Sequence, residues 1–560
     1  MKRIRQIMAL LVLVPALLSG QSLDVDLSQL PAQKAFDLNG SLWMQSGFYQ
    51  VSGIPARTNN FIWSMGAQAT AEIYGVALPF AFTVGQFGNQ FSRPTFGQFG
   101  VSPRYKWATA HLGHRNLTFS PYTLAGHTFL GAGVELNPGK FRFAAMYGRF
   151  RSAEAGPPNL ISILPSFRRT GYGVKIGTGS ERNFVDLIVF RGQDAPATLP
   201  DTLPAVRPAE NLVLGLSSRI QLAGPLGFYL DIGGSAFTRD LQSRIFTGDS
   251  LSVDNYIPES LFTPRYSSRV NFAGKTGLRY SLPRFQLGLE YERIDPEYES
   301  MGAFFFMNDL EQITLAPSFR FWKDRISVQG SGGLQRNNLL GNRSESTRRV
   351  IANTSLTYAE AGSPFGMNMS YSNFSINQTD GRLELSDTIR LTMVTQNVQI
   401  SPYWNWADSL LARSLFFSAS YQALNDRNPF TREFTDMNTL FFTGMYSWTR
   451  LWSGLGLSLG ANYNRIEVFG LDTRRYGFSA GVNQAFAGGK GHAGLQGTWN
   501  LADINGQADG QNWTINMHAG WAPARQWHLS LYTNVLGNSS RQFDNYTEYL
   551  GGVRLQWMFR

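Results

Sequence analysis

The sequence predicts an all-β fold: a transmembrane, antiparallel, up-and-down β-barrel of about 24 strands (roughly 22 to 26), with one segment folded into its lumen. Three observations carry this. Apolar and polar residues alternate with a period of two from about Phe36 onward, short and long connections alternate between the strands so formed, and the chain is poor in charge. Charged residues make up 16% of the sequence and aromatic residues 14%, whereas a globular domain carries about a quarter charged residues. Part of the surface must therefore face something other than water. Mean hydropathy is −0.19, and no run after Leu18 is long and apolar enough for a transmembrane helix. Lipid would then be met by strands whose backbone hydrogen bonds are closed within a barrel.

The chain starts Met1-Lys2-Arg3-Ile4-Arg5, runs through apolar residues from Ile7 to Leu18 and leaves through Ser19 and Gly20. A basic start, an apolar stretch of about a dozen residues and a small-residue exit have the layout of a secretory signal peptide, too short for the ~20 helical residues that span a bilayer. Residues 1–20 are set aside on that reading, and 21–35 become a short periplasmic lead into a single barrel over 36–560. So short a lead leaves no room for the large plug of an energised receptor. The chain has no cysteine, so neither a cysteine-linked lipid nor a disulfide is expected.

Leu415, Phe417, Ala419, Tyr421 and Ala423 alternate with Phe416, Ser418, Ser420 and Gln422, and Phe285, Leu287, Leu289 and Tyr291 oppose Gln286, Gly288, Glu290 and Glu292. One face suits lipid, and the other, rich in Ser, Asn, Gln, Gly and acidic groups, suits a wet interior. Tight turns are read at Leu136 to Lys140, Gly177 to Ser180, Leu282 to Arg284, Trp322 to Asp324, Ala487 to Lys490 and Ala522 to Arg525. Longer connections run from Arg151 to Phe167, Gly192 to Ala209, Asp240 to Ser267, Asn338 to Thr347 and Asn425 to Asn438. This sidedness is that of an outer-membrane barrel. Trp513 and Trp521 share a face ~26 Å apart along a strand, or ~19 Å along the membrane normal after a tilt near 45°, close to the spacing of two aromatic girdles.

In the last strand Val553, Leu555, Trp557 and Phe559 share one face, while Arg554 and Gln556 take the other. Leader, absent cysteine, alternating strands and this last strand together resemble Gram-negative outer-membrane β-barrels. The resemblance implies a place in the cell outer membrane, with lipid and lipopolysaccharide around the wall. It also implies recognition of Val553, Leu555, Trp557 and Phe559 as an insertion signal by the barrel assembly machinery. Such signals usually end on the aromatic residue, and here Arg560 follows. More narrowly, Ser102-Pro103-Arg104-Tyr105-Lys106-Trp107, Ser120-Pro121-Tyr122-Thr123-Leu124-Ala125-Gly126-His127 and Gly139-Lys140-Phe141 resemble a stretch of uncharacterised Bacteroidota outer-membrane proteins. That likeness implies a source and no activity.

Strands near Gly40 to Tyr49, Phe61 to Tyr74 and Val76 to Gln86 precede about twenty-one from Gly131 onward. If all three span, residues 85–128 begin and end on the outer side, so the strand-like part from Tyr105 to His114 cannot be a single crossing. The expectation is that 85–128 folds into the lumen and narrows it, with Arg104, Lys106, Trp107, His111, His114, Arg115 and His127 as the constriction. His111 and His114 would share a face only on a helix, and no thiol or carboxylate nearby in sequence completes a metal site. No metal and no cofactor is therefore expected, and the histidines are read as hydrogen-bonded anchors. His518 and His528 fall on the polar face, where luminal hydrogen bonds are expected for both.

No nucleophile elbow, His-Ser-Asn run or acid pair beside a histidine is found, so the chain is not expected to be an enzyme. The formal net charge is +10, or +7 without the leader, but no separable basic module for nucleic acid stands out. Arg142, Arg168, Arg169, Arg348, Arg349, Arg474, Arg475 and Arg554 lie in or beside strands. They suit either an interior that favours anions or contact with lipid phosphates. The expected function is a channel for passive or gated passage of small polar solutes. The alternative is a non-conducting barrel subunit that presents its long loops to envelope protein partners for assembly, secretion or adhesion.

Overall fold

The computed structural model describes residues 22–26, 36–73, 76–85, 100–154, 165–199, 206–246, 261–303, 307–388, 390–541 and 544–559. The expected leader, 1–20, lies outside the described residues, as do 27–35 of the lead and 86–99 of the expected luminal segment.

Strands dominate. The first are β1 (Ser22–Asp26), β2 (Asp37–Ser52), β3 (Phe61–Ile73), β4 (Val76–Gly85), β5 (Gly100–Tyr105) and β6 (Ala108–Asn116). A two-residue strand, β7 (Leu124–Ala125), precedes β8 (Thr128–Leu136), β9 (Phe141–Arg151), β10 (Arg169–Gly179) and β11 (Phe184–Asp194). Next come β12 (Glu210–Ala223), β13 (Leu226–Thr238), β14 (Ser268–Ser281), β15 (Phe285–Ile294) and a second two-residue strand, β16 (Gly302–Ala303). They are followed by β17 (Leu310–Phe321), β18 (Ile326–Arg336), β19 (Glu345–Ala359), β20 (Phe365–Asp380), β21 (Thr392–Ala407) and β22 (Leu411–Asp426). The chain ends with β23 (Met437–Arg450), β24 (Leu455–Val468), β25 (Leu471–Phe486), β26 (Gly491–Ile504), β27 (Gln507–Trp521), β28 (Trp527–Ser540) and β29 (Tyr546–Phe559).

All except β7 and β16 join one sheet of 27 described strands. Consecutive strands pair antiparallel, and β29 pairs with β2, so the two ends of the long-strand series meet. The order breaks between β4 and β5. There β1 pairs in parallel with β5, from Ser22 opposite Gly100 to Asp26 opposite Arg104, and lies beside β4. Against the expected count of about 24, the surplus strands are β1, β5 and β6.

The alternation read from sequence sets the two faces. In β11, Val185 and Leu187 are exposed while Asp186, Ile188 and Phe190 are buried. The exposed apolar side continues across the ladders, with Leu187 opposite Leu216, Leu289 opposite Leu315, Leu495 opposite Met517 and Leu531 opposite Val553. A belt of that extent is not tolerated against water and suits hydrocarbon.

Turn geometry accounts for the hairpins. Trp322, Lys323 and Asp324 all have positive φ, as do Gly139 and Gly488, at tight turns read from sequence, and so does Gly454 between β23 and β24. Toward the C-terminus the long connections shrink as well. Phe469-Gly470 and Asn505-Gly506 have positive φ at both positions, the geometry of two-residue hairpins whose twist matches the flanking strands.

Candidate functional site: two inward segments on one half of the wall

The strand-like part of 100–116 crosses twice. The β5–β6 hairpin turns at Lys106, where φ is 53°, and β6 pairs with β8 from Asn116 opposite Thr128 to Ala108 opposite Leu136. Strand parity is met by this hairpin in the wall, which corrects the expectation that 100–116 folds into the lumen. Arg104, Lys106 and Trp107 are exposed at the turn, with the Trp107 carbonyl accepting from the Asn137 amide at 2.9 Å. The Lys106 ammonium stands 5.3 Å from the Tyr105 ring centre. These three therefore cap a tight-turn end of the wall. His111 and Arg115 are buried on the inner face, whereas Leu112 and His114 belong to the opposite face. His111 Nδ1 lies 2.6 Å from Ser102 Oγ, and Nε2 lies 3.5 Å from the Glu135 carboxylate.

The inward segment proper is 117–127. Leu117, Phe119 and Leu124 are buried with the wall residues Phe129, Met146, Ile188, Phe190 and Val213. Between them the chain folds tightly: the Phe119 amide donates to the Leu124 carbonyl at 2.8 Å and Ser120 Oγ lies 2.8 Å from Thr123 Oγ1. A second segment, 295–303, comes from the connection after β15 and meets the first. Strands β7 and β16 pair in parallel, Leu124 with Gly302 and Ala125 with Ala303. Tyr298 Oη donates to the Tyr122 carbonyl at 2.6 Å, and Ser300 Oγ donates to the Thr123 carbonyl. The wall reaches in as well. Asn211 Oδ1 accepts from the Met301 amide at 3.0 Å, and Tyr122 Oη donates to Glu292 on β15. The buried polar groups that join the two segments are thus paired with one another or with the wall.

Glycines on the inner face create the sockets. A Cβ at Gly215 would stand 2.5 Å from Thr123 Cγ2, and one at Gly233 would stand 2.6 Å from Tyr298 Oη. A side chain at either position would fill the space the inward segments occupy.

Several arginines on this half of the wall are paired with carboxylates. Arg142 donates to both Asp186 carboxylate oxygens at 2.8 and 2.9 Å, and Arg169 donates to both of Asp194 at 2.8 and 3.0 Å. Ser217 Oγ donates to Asp231 at 2.6 Å. Arg142 has a carboxylate of its own, whereas Arg169 shares Asp194 with Arg151. His127 packs edge-on against Phe150 with ring centres 5.7 Å apart. Burial, and then the nearby Arg169 and Arg151, push His127 below its ordinary pKa of 6.5. Burial pushes Tyr122 and Tyr298 above the usual phenol value of 10.0, with Glu292 adding to the effect at Tyr122.

The other half of the wall has a different lining. One row runs Ser418, Thr443, Asn462, Gly477, Asn500, Asn512 and Asn538 through successive ladders from β22 to β28, and Ser401 on β21 joins it through its hydroxyl, 3.0 Å from that of Ser418. A second runs Ser331, Asn353, Ser372, Asn397 and Gln422. Both rows consist of neutral amides, hydroxyls and one glycine. Within β29, Val553 and Leu555 are exposed, and the Trp557 ring lies 6.1 Å from that of Trp527 and 5.2 Å from Phe559.

Of the seven residues expected at a constriction, His111 and Arg115 lie on the inner wall and His127 ends the inward segment. Arg104, Lys106, Trp107 and His114 do not join them. The residues missed are Tyr122, Tyr298, Ser300 and Met301. The glycines that admit them, Gly173, Gly192, Gly215 and Gly233, give no distinguishing signal in the sequence, because the other half of the wall carries inner-face glycines too, such as Gly477 and Gly494.

No family model matches the chain, and no curated protein matches it. Among solved structures it is similar to the P pilus usher (PapC) translocation pore, at 13% identity and a TM-score of 0.38, covering 93% of this chain and 100% of that one. It is also similar to the outer membrane protein OpdK from Pseudomonas aeruginosa, at 12% identity and a TM-score of 0.29, over 67% of this chain and 98% of that one. A third is OccAB3 from Acinetobacter baumannii, at 11% identity and a TM-score of 0.29, over 67% and 99% respectively.

Proposed function

We propose that the chain is an outer-membrane channel for small polar solutes, narrowed on one side by the segments 117–127 and 295–303. The asymmetry of the interior carries this reading. One half of the wall is packed with its own chain and several of its arginines are paired, while the other presents rows of Ser, Thr and Asn that can exchange hydrogen bonds with a passing solute and its water. With Arg142 and Arg169 neutralised by Asp186 and Asp194, selection rests more on size and hydrogen bonding than on net field.

The exposed apolar belt supports a lipid surround, and lipopolysaccharide phosphates would meet exposed rim arginines such as Arg57. In biogenesis, the barrel assembly machinery would act on Val553, Leu555, Trp557 and Phe559 of β29. The test is planar-bilayer recording of the purified full chain. Stepwise conductance that rises when the inward segments are dislodged supports the channel. A silent bilayer from correctly folded protein would instead favour a non-conducting subunit that displays its loops to envelope partners.

A further inference from the structure

The tripeptides His492-Ala493-Gly494 on β26 and His518-Ala519-Gly520 on β27 face one another about a local two-fold axis. His492 lies opposite Gly520, Ala493 opposite Ala519, and Gly494 opposite His518. Each imidazole rests on the glycine across the ladder: a Cβ at Gly494 would stand 2.4 Å from His518 Cε1, and one at Gly520 would stand 2.4 Å from His492 Cε1. The ring centres are 6.0 Å apart with 52° between the planes. Both histidines are exposed, on the polar face opposite that of Leu495 and Met517. The expected luminal hydrogen bonds of His518 are not made. Among the described residues neither imidazole has a hydrogen-bond partner.

We propose that His492 and His518 form a two-imidazole site for a divalent transition-metal ion on the interior wall. Metal–nitrogen bonds of about 2.0 Å put the centres of two imidazoles sharing one ion roughly 4.5 Å apart at a right angle and roughly 6.4 Å apart when linear. The observed separation of 6.0 Å falls inside that span, so rotation of the rings can aim both lone pairs at one point. Glycine floors leave the rings room to turn, and the open side admits water to the remaining coordination positions. The Asn483 amide oxygen borders the same floor at Gly494.

Imidazole nitrogens suit Cu(II), Ni(II) and Zn(II) and not the oxygen-seeking Ca(II) and Mg(II). The flanking residues on this face, Gln496 and Asn516, are neutral, so the ion's charge is not compensated and the site is exchangeable. It does not depend on whether the barrel conducts.

The test is titration of the untagged, detergent-solubilised full chain with copper(II) chloride at neutral pH, followed by equilibrium dialysis and electron paramagnetic resonance. One ion per chain with two equatorial imidazole nitrogens is expected. His492→Ala and His518→Ala should each weaken it by about tenfold or more, while His528→Ala on β28 leaves it unchanged. Circular dichroism of each variant checks the fold. Binding by the wild type no tighter than by the folded double variant would overturn the proposal, as would loss on His528→Ala instead.

Discussion

Tyr122 and Glu292 are separated by 170 residues in sequence and joined by a hydrogen bond from the phenol to the carboxylate. The same carboxylate accepts from Gln312 Nε2 on the next strand at 2.6 Å. One acidic group on the wall thus holds the inward segment and is itself held by its neighbour, so the segment's position is set by a chain of contacts rather than by apolar packing alone.

Replacing that hydroxyl tests the link. Tyr122→Phe keeps the ring and leaves Glu292 short of a donor, at a cost to docking of roughly 1.5–3 kcal/mol for a hydrogen bond to a charged group. Hydrogen exchange of the amides in 118–126 should then quicken roughly ten- to hundredfold, while β20 to β28 stay protected. Unaltered exchange in 118–126 would show that the bond contributes nothing to docking.

The glycine sockets allow the wall to be changed without touching the inward segments. Gly233→Leu places its branch where Tyr298 Oη and Tyr122 Cβ now lie, 2.6 and 3.1 Å from an ideal Cβ. Both segments should be expelled, and single-channel conductance should rise while the strand signal in circular dichroism is kept. A folded variant of wild-type conductance would separate the inward segments from the pathway.

Docking should depend on pH at two limits. The pKa of His127 is lowered from 6.5 when packed, so the undocked state holds more protons as pH falls. Its contribution is present above pH 6.5 and lost as pH drops through the lowered value. Tyr122 and Tyr298 are raised above 10.0, so their contribution is present below pH 10 and lost as pH rises above it. The protection of 118–126, corrected for the intrinsic exchange rate at each pH, should be greatest between these limits. His127→Gln should flatten the acid limb, and a variant that stays as steep would exclude His127 as its source.

On β29, replacing both Trp557 and Phe559 with Asp would set two charges against lipid, at up to a few kcal/mol each depending on depth. Levels in the outer-membrane fraction should collapse, whereas Trp557→Phe with Phe559→Leu should insert. Normal levels of the double Asp variant would place these side chains away from hydrocarbon.

Much of the fold was legible because period-two patterning is local. Leu289 and Tyr291 against Glu290 and Glu292 can be assigned to faces without knowing their neighbours. The β5–β6 hairpin was not legible. Its turn at Lys106 has a positive φ at a residue that does not advertise it, and the two strands together look like one long irregular stretch. The site was legible only in half. Residues 117–127 fell within the expected inward segment, but their partner, 295–303, reads as an ordinary loop. Nothing local links Tyr298 to Tyr122, because that contact exists only once β6 and β15 are placed in the wall.

The seam between β2 and β29 bears on how the chain folds in time. Tyr49 on β2 donates to Glu548 on β29 across 499 residues, whereas most other ladders join strands that follow one another. Ring closure over ~500 residues costs about 5.5 kcal/mol in chain entropy, against about 1.4 kcal/mol for a five-residue turn. Hairpins can therefore zip locally and early, and the slow event is the meeting of the two edges. Until it happens both edges expose unpaired backbone, a template for wrong partners. The interval before closure is when this protein is most exposed to aggregation and most dependent on being chaperoned.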